Sequence, residues 1–138
     1  MSYLLDTNVV SETVRARPAP AVIAWLADVP DEALHVSVLT LGEIRRGIDK
    51  LPNTQRREHL RVWLEHDLPD WFGPRVLDID RAVADDWGRL LAAAGRTLPS
   101  IDSLIAATAL HHGLRVVTRN VTDFQLPGLE VINPWSTI

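Results

Sequence analysis

Four carboxylates stand where a lone acid is costly: Asp6, Glu43, Asp102 and Asp123. Asp6 ends the apolar run Tyr3-Leu4-Leu5, and Glu43 sits within the mostly apolar stretch Val38-Leu39-Thr40-Leu41-Gly42-Glu43-Ile44. Asp102 opens the run Leu104-Ile105-Ala106-Ala107, and Asp123 follows the strand-like Arg115-Val116-Val117-Thr118 across a short polar loop. A buried carboxylate is disfavoured unless it is paired, hydrogen-bonded or bound to metal. Acids converging from distant parts of a chain can share that cost around a divalent cation. Oxygen-only donors suit the hard ions Mg²⁺ and Mn²⁺. Such an ion, alone or as a pair, activates water and steadies a phosphate under attack, which is the chemistry of phosphodiester hydrolysis. Singly, each acid also fits a plain role: Asp6 as an N-cap, Asp102 in a first helical turn behind a Ser100 cap, Glu43 on a helix surface, Asp123 in a loop turn. His111 and His112 suit a helix terminus, and no Ser–His–Asp order is evident.

The elements that must position these acids alternate. Short apolar strands are expected at Ser2 to Leu5, Leu34 to Ser37, Arg75 to Ile79, Arg115 to Thr118 and Glu130 to Ile132. Helices are expected from Asp6-Thr7-Asn8 onward until Pro18 and Pro20, over Ala21 to Val29, Thr40 to Lys50, from Pro52-Asn53-Thr54 to about Asp67, over Arg81 to Ala94, and from Pro99-Ser100 to His112, where Gly113 stops the last. This alternation predicts a three-layer α/β domain with a mostly parallel sheet. Ligands bind such sheets beyond the carboxyl ends of the strands, where Asp6 and Asp123 fall, and Asp102 and Glu43 could complete the same crevice.

The chain has 138 residues, 46% hydrophobic and 23% charged, which fits one folded domain over 1–138 rather than a disordered polymer. It has no cysteine, so disulfides and cysteine-ligated zinc are excluded and a reducing cytoplasm is expected. No bilayer-spanning run or signal peptide is expected. A net charge of −4 argues against a sequence-independent coat on duplex DNA, but not against a nuclease with an acidic metal site.

The motifs carry a resemblance. Leu4-Leu5-Asp6-Thr7-Asn8-Val9-Val10-Ser11-Glu12 resembles the opening of the PIN-domain ribonucleases. Ser37 to Gly47, with Glu43 followed by Arg45 and Gly47, is similar to that family's second acidic motif. Asp102-Ser103-Leu104-Ile105-Ala106-Ala107-Thr108-Ala109 is similar to the third, and Thr118-Arg119-Asn120-Val121-Thr122-Asp123-Phe124 to the fourth. The ending Ile132-Asn133-Pro134-Trp135 resembles the FitB-like branch of the VapC toxins.

The resemblance implies a PIN-like α/β/α fold and a metal-dependent endoribonuclease, the toxin of a type II toxin–antitoxin pair. It makes Asp6, Glu43, Asp102 and Asp123 the catalytic quartet that holds Mg²⁺ or Mn²⁺, with Thr7 and Asn120 as supporting polar residues. It also implies a homodimer and a VapB-like antitoxin, whose tail lies across the toxin groove with a basic side chain among the acids. Operator DNA is then met only through the antitoxin complex. Trp25, Leu26 and Ile48 are candidates for the groove wall or for ordinary core. Arg15, Arg45, Arg46 and Lys50 are candidates for RNA phosphate contacts or for a solvated helix face.

Two rivals stand beside this reading. A phosphotransferase or phosphatase with an aspartyl nucleophile would use Asp6, but the second aspartate expected two residues on is Asn8, and Lys50 is the only lysine. A non-catalytic co-repressor would use the acids for structure or partner binding.

Overall fold

The structure is a computed structural model that describes residues 1–136. Five parallel strands form one sheet in the order β3-β2-β1-β4-β5: β1 Tyr3–Leu5, β2 Leu34–Ser37, β3 Val76–Leu77, β4 Arg115–Val117 and β5 Val131–Ile132. Tyr3 pairs with Leu34 on one side and Arg115 on the other, so β1 is the central strand. Successive strand residues face opposite sides of a sheet. Leu4 and Leu5 are both fully buried, yet they enter different cores, as do Val116 and Val117. Burial on both faces makes three layers.

One face is covered by α1 (Thr7–Glu12), α2 (Pro20–Ala27), α3 (Val38–Asp49), α4 (Gln55–Val62) and α5 (Leu68–Phe72). Their Val9, Val10, Val22, Ile44, Ile48, Leu68 and Phe72 close over Leu5 and Val36. The other face is covered by α6 (Arg81–Ala93) and α7 (Ser100–His112), which pack Leu90, Leu91, Ile105, Ala106 and Ala109 onto Leu4 and Val116. The expected three-layer parallel α/β architecture is therefore what the chain adopts. No helix of the described residues is long and apolar enough to cross a membrane.

Local departures have physical causes. The polar helix expected to end near Asp67 instead continues to Phe72. Pro69 has no N–H to give the turn before it, and the chain widens over Trp63–Asp67 so that the Leu68 N–H reaches the Trp63 carbonyl, five residues back. Strand β3 is only Val76–Leu77, shorter than the expected Arg75 to Ile79. It is an edge strand, and the following Asp80 is already committed to capping α6 through the Val83 N–H at 2.9 Å. The Ser100 cap is corrected: Ser100 is the first residue of α7, and Pro99 holds the cap position without a side-chain bond. Gly113 does end α7, in the left-handed conformation (φ 67°) that favours glycine.

Arg75 clamps this β2–β3 edge. Its guanidinium donates to the carbonyls of Asp31, Leu34 and Trp71 and lies over the Phe72 ring. Removing it takes a charged donor from all three carbonyls, of which that of Asp31 keeps the Leu34 N–H. Arg75→Ala is expected to lower unfolding free energy by about 2–3 kcal/mol, and Arg75→Lys to restore little, because an ammonium lacks the planar fork. Urea unfolding of the three proteins checks this.

Candidate functional site

The carboxyl end of β1 delivers Asp6 beside the end of β4, and the Asp6 N–H donates to the Val117 carbonyl at 2.9 Å. The Asp6 side chain is 4% exposed. Its Oδ1 accepts from the Thr7 N–H at 2.8 Å, and its Oδ2 from the buried Thr118 hydroxyl at 2.8 Å and from Asn8 Nδ2 at 3.4 Å. All these donors are neutral. Burial, the largest influence, raises the carboxyl above its ordinary pKa; the bonds from Thr118 and Thr7 oppose this, and the charges of Glu43 and Asp123 add to it.

Glu12 is an instructive contrast, equally buried at 4%. Burial pushes its pKa up, but the Ala19 N–H (2.8 Å) and Arg15 (3.2 Å) outweigh that, and the group lies below the ordinary range. Glu12 is a satisfied structural acid. Asp6 is a buried acid with no cation beside it among the described residues.

The other three acids surround this group from three elements. Glu43 projects from the exposed side of α3 rather than into the core, and is held from across the site by the Thr7 hydroxyl at 2.5 Å. Thr7 in turn lies 3.2 Å from the hydroxyl of the fully buried Thr40. Asp102 sits in the first turn of α7. Its pKa is pushed up to about 6 by burial first, then by the charges of Asp6, Asp123 and Glu43, and by a shared hydrogen bond with Asp123. Asp123 stands in the 3₁₀ turn Val121–Phe124 that follows β4. The four carboxylates thus feel one another's charge at one end of the sheet.

The supporting residues divide. Thr7 touches the acids through both its N–H and its hydroxyl. Asn120 is exposed and contributes its backbone, donating N–H to the Thr118 hydroxyl at 3.0 Å. Thr118 and Asn8, which bond Asp6 directly, did not enter the sequence-based set. The signal for Thr118 was its place at a strand end, but it becomes meaningful only once β4 is known to lie beside β1. Of the basic candidates, Arg15 pairs with Glu12 and Arg45 with Glu65 at 3.0 Å, whereas Arg46 and Lys50 share an exposed hollow with Glu43 and Gly47. Ile48 lines an apolar groove next to it with Ile44, Leu51, Leu60 and Trp63, while Trp25 and Leu26 pack into the core instead, Trp25 edge-on to Tyr3.

Among the described residues, no three His, Asp or Glu side chains gather tightly enough to enclose an ion by themselves. This donor set nevertheless fits a hydrated hard cation, since Mg²⁺ typically takes one or two carboxylates and keeps several waters. A cation also supplies the charge that Asp6 lacks.

In metal-free protein the burial and crowding of these acids have a pH signature. A folded-state pKa raised to about 6 means that folded Asp102 keeps a proton the unfolded chain has lost, so stability falls as pH rises from about 4 to about 6 and then levels. Raised Asp6 acts in the same direction. Melting temperature against pH in chelator is expected to show this fall, and Asp102→Asn to flatten it and to melt higher at pH 7.

A family model described as "PIN domain" matches residues 3–125. The chain is 42% identical to a plasmid stability protein, StbB, of Pseudomonas syringae pv. tomato, covering 96% of this chain and 97% of that one. It is 38% identical to the VapC ribonuclease Y4jK of Sinorhizobium fredii, covering 96% of each. The FitAcB crystal structure from Neisseria gonorrhoeae superposes with a TM-score of 0.90 at 35% identity, over 98% of this chain and 99% of that one. Further solved structures of this kind include FitAB and VapBC assemblies bound to DNA. The chain belongs to the PIN-domain ribonucleases, on the branch that carries the VapC and FitB toxins.

Proposed function

We propose that this chain, as a single PIN domain over 1–138, is a cytoplasmic Mg²⁺-dependent endoribonuclease (with Mn²⁺ as an alternative ion) and the toxin of a VapBC-like pair. The observation that carries the reading is Asp6: a buried carboxylate with neutral donors only, ringed by the charges of Glu43, Asp102 and Asp123. Structural carboxylates in this protein are treated differently, as Glu12 shows.

Asp6 and Asp102 are the proposed principal ligands, with Glu43 and Asp123 ligating directly or through water. A bound Mg²⁺ supplies charge neutralisation at the phosphate and a more acidic water. The protein supplies the geometry. Thr118, Asn8 and the Thr7 N–H fix the Asp6 carboxylate, leaving its remaining lone pairs for the ion. The Thr7 hydroxyl fixes Glu43 at the exposed mouth, where it can orient the attacking water and take its proton. Asp102, its pKa pushed up to about 6 by burial and by its neighbours, can hold a proton until the cation binds. A single strand of RNA can reach this open end of the sheet, and attack there hydrolyses a phosphodiester.

The proposed partners are a VapB-like antitoxin and a second copy of the chain as homodimer, with operator DNA engaged only through the antitoxin complex. Solved assemblies of FitAB and VapBC support this.

The test is cleavage of structured and single-stranded RNA by antitoxin-free protein, with Mg²⁺ or with EDTA. Asp6→Ala is expected to lower kcat by about a thousandfold, some 4 kcal/mol of transition-state stabilisation. It should leave the metal-free protein folded, because the relief of carboxylate burial and like-charge crowding offsets the lost bonds from Thr7, Asn8 and Thr118. Wild-type rates from Asp6→Ala would sink the assignment. So would RNA left intact by folded wild-type protein in Mg²⁺.

A further inference from the structure

The acidic end of the sheet poses a problem that the proposed reaction must solve. The substrate is a polyanion, the chain carries a net charge of −4, and four carboxylates converge where the phosphodiester must enter. Most cations of the chain are committed elsewhere. Arg15, Arg45, Arg57, Arg61, Arg89 and Arg115 form ion pairs. Arg56, Arg75 and Arg96 donate to backbone carbonyls, and Arg119 lies over the Trp135 ring.

Arg17, Arg46, Arg81 and Lys50 have no ion pair among the described residues, and of these Arg46 and Lys50 line the hollow beside Glu43. Both are exposed. They lie on the stripe Glu43, Arg46, Gly47, Lys50, spaced i, i+3, i+4, i+7, which is one face of a helix. That stripe lines a shallow hollow without an apolar wall residue. At about 1.5 Å of rise per residue, it leads from Glu43 to Lys50 over about 10 Å.

Gly47 is the second observation. It stands inside α3, where glycine destabilises a helix relative to alanine. A Cβ at this position would meet nothing within 4 Å, so no packing of this chain requires its absence. Gly47 borders both the basic hollow and the apolar groove lined by Ile44, Ile48, Leu51 and Trp63. A bare backbone between two unpaired cations suits close passage of a ligand across the helix.

We infer that Arg46 and Lys50 form a phosphate-binding track on α3, which carries the RNA backbone away from the cleavage site across Gly47. The inference rests on the ribonuclease reading and deepens it, by assigning the path of the strand. Polarity favours RNA over protein here. The hollow is charged and lacks apolar anchors, whereas the neighbouring groove has them and suits a peptide.

The test separates binding from cleavage. Binding of a fluorescent single-stranded 20-nucleotide RNA of mixed sequence is measured in EDTA with the antitoxin-free chain and its Arg46→Ala, Lys50→Ala and Gly47→Ala variants. Each cation variant is expected to weaken binding roughly tenfold, and to flatten the slope of log affinity against log salt by about 0.7. Arg46→Lys should restore much of the salt slope. Gly47→Ala is expected to melt about 3 °C higher and still bind RNA less well, a combination that a purely structural glycine would not give. RNA affinities that match wild type in the cation variants overturn the track, whether or not the wild type cleaves RNA. So does a loss confined to antitoxin capture, which would make the stripe a protein-docking face. So does a variant that loses only helix stability, the result expected if Arg46 and Lys50 merely offset the dipole at the end of α3. Failure of the nuclease reading is read separately, as RNA left intact by wild-type protein in Mg²⁺.

Discussion

The arrangement depends on one desolvated carboxylate that the fold does not neutralise. Asp6 is fixed in place by the central strand pair: its N–H is tied to Val117 at the end of β4, and its Oδ2 to Thr118 one residue further on. Because β1 and β4 are parallel neighbours, both chains end at the same side of the sheet, and their following residues meet. The register Leu5 to Val117 therefore sets the site as much as the identity of Asp6 does. A slip of one residue would turn Leu4 and Leu5 to the wrong cores and carry the Thr118 hydroxyl away from the carboxylate. Fold stability and site geometry share the same hydrogen bonds.

Much of this was legible in the sequence, because the signals were local. Asp6 after Tyr3-Leu4-Leu5 is a strand-end acid by pattern alone, and Gly113 after His112 is a helix stop by conformation alone. What was not legible depended on tertiary neighbours. Glu43 sits in an apolar stretch, yet helical periodicity turns it outward, and only the contact with Thr7, 36 residues away, brings it to the site. Thr118 gains its role from strand order, which a single strand pattern does not encode. The widened turn at Trp63–Asp67 is a compromise between Pro69 and the burial of Leu64, Leu68 and Phe72. A rule that stops helices near proline sees only the first half of that balance.

The distribution of cations follows the same logic. Arg75 and Arg15 satisfy carbonyls and a carboxylate whose burial would otherwise weaken the fold, and Arg61 joins Glu58 and Glu65 on the surface. None of them faces Asp6. A cation built into the chain at that point would have stabilised the folded state, and would also have filled the position a divalent ion needs. The burial of Asp6 and Asp102, with the repulsion that adds to it, is therefore a stability cost concentrated where a ligand can remove it.

That cost sets the direction of linkage. Any species that brings positive charge to the folded site and not to the unfolded chain stabilises the protein by RT ln(1 + [L]/Kd), about 2.7 kcal/mol at a hundredfold excess over Kd. A divalent ion qualifies. So does a guanidinium or ammonium offered by a partner, which would pair with the same carboxylates and lower their pKa in the same sense. The two would compete for the Asp6 carboxylate, whose oxygens already accept from Thr7, Asn8 and Thr118. In the proposed toxin, an inhibitor need not distort the site to silence it. Competing for one buried negative charge is enough, and the protein it leaves inactive is also more stable than the metal-free one.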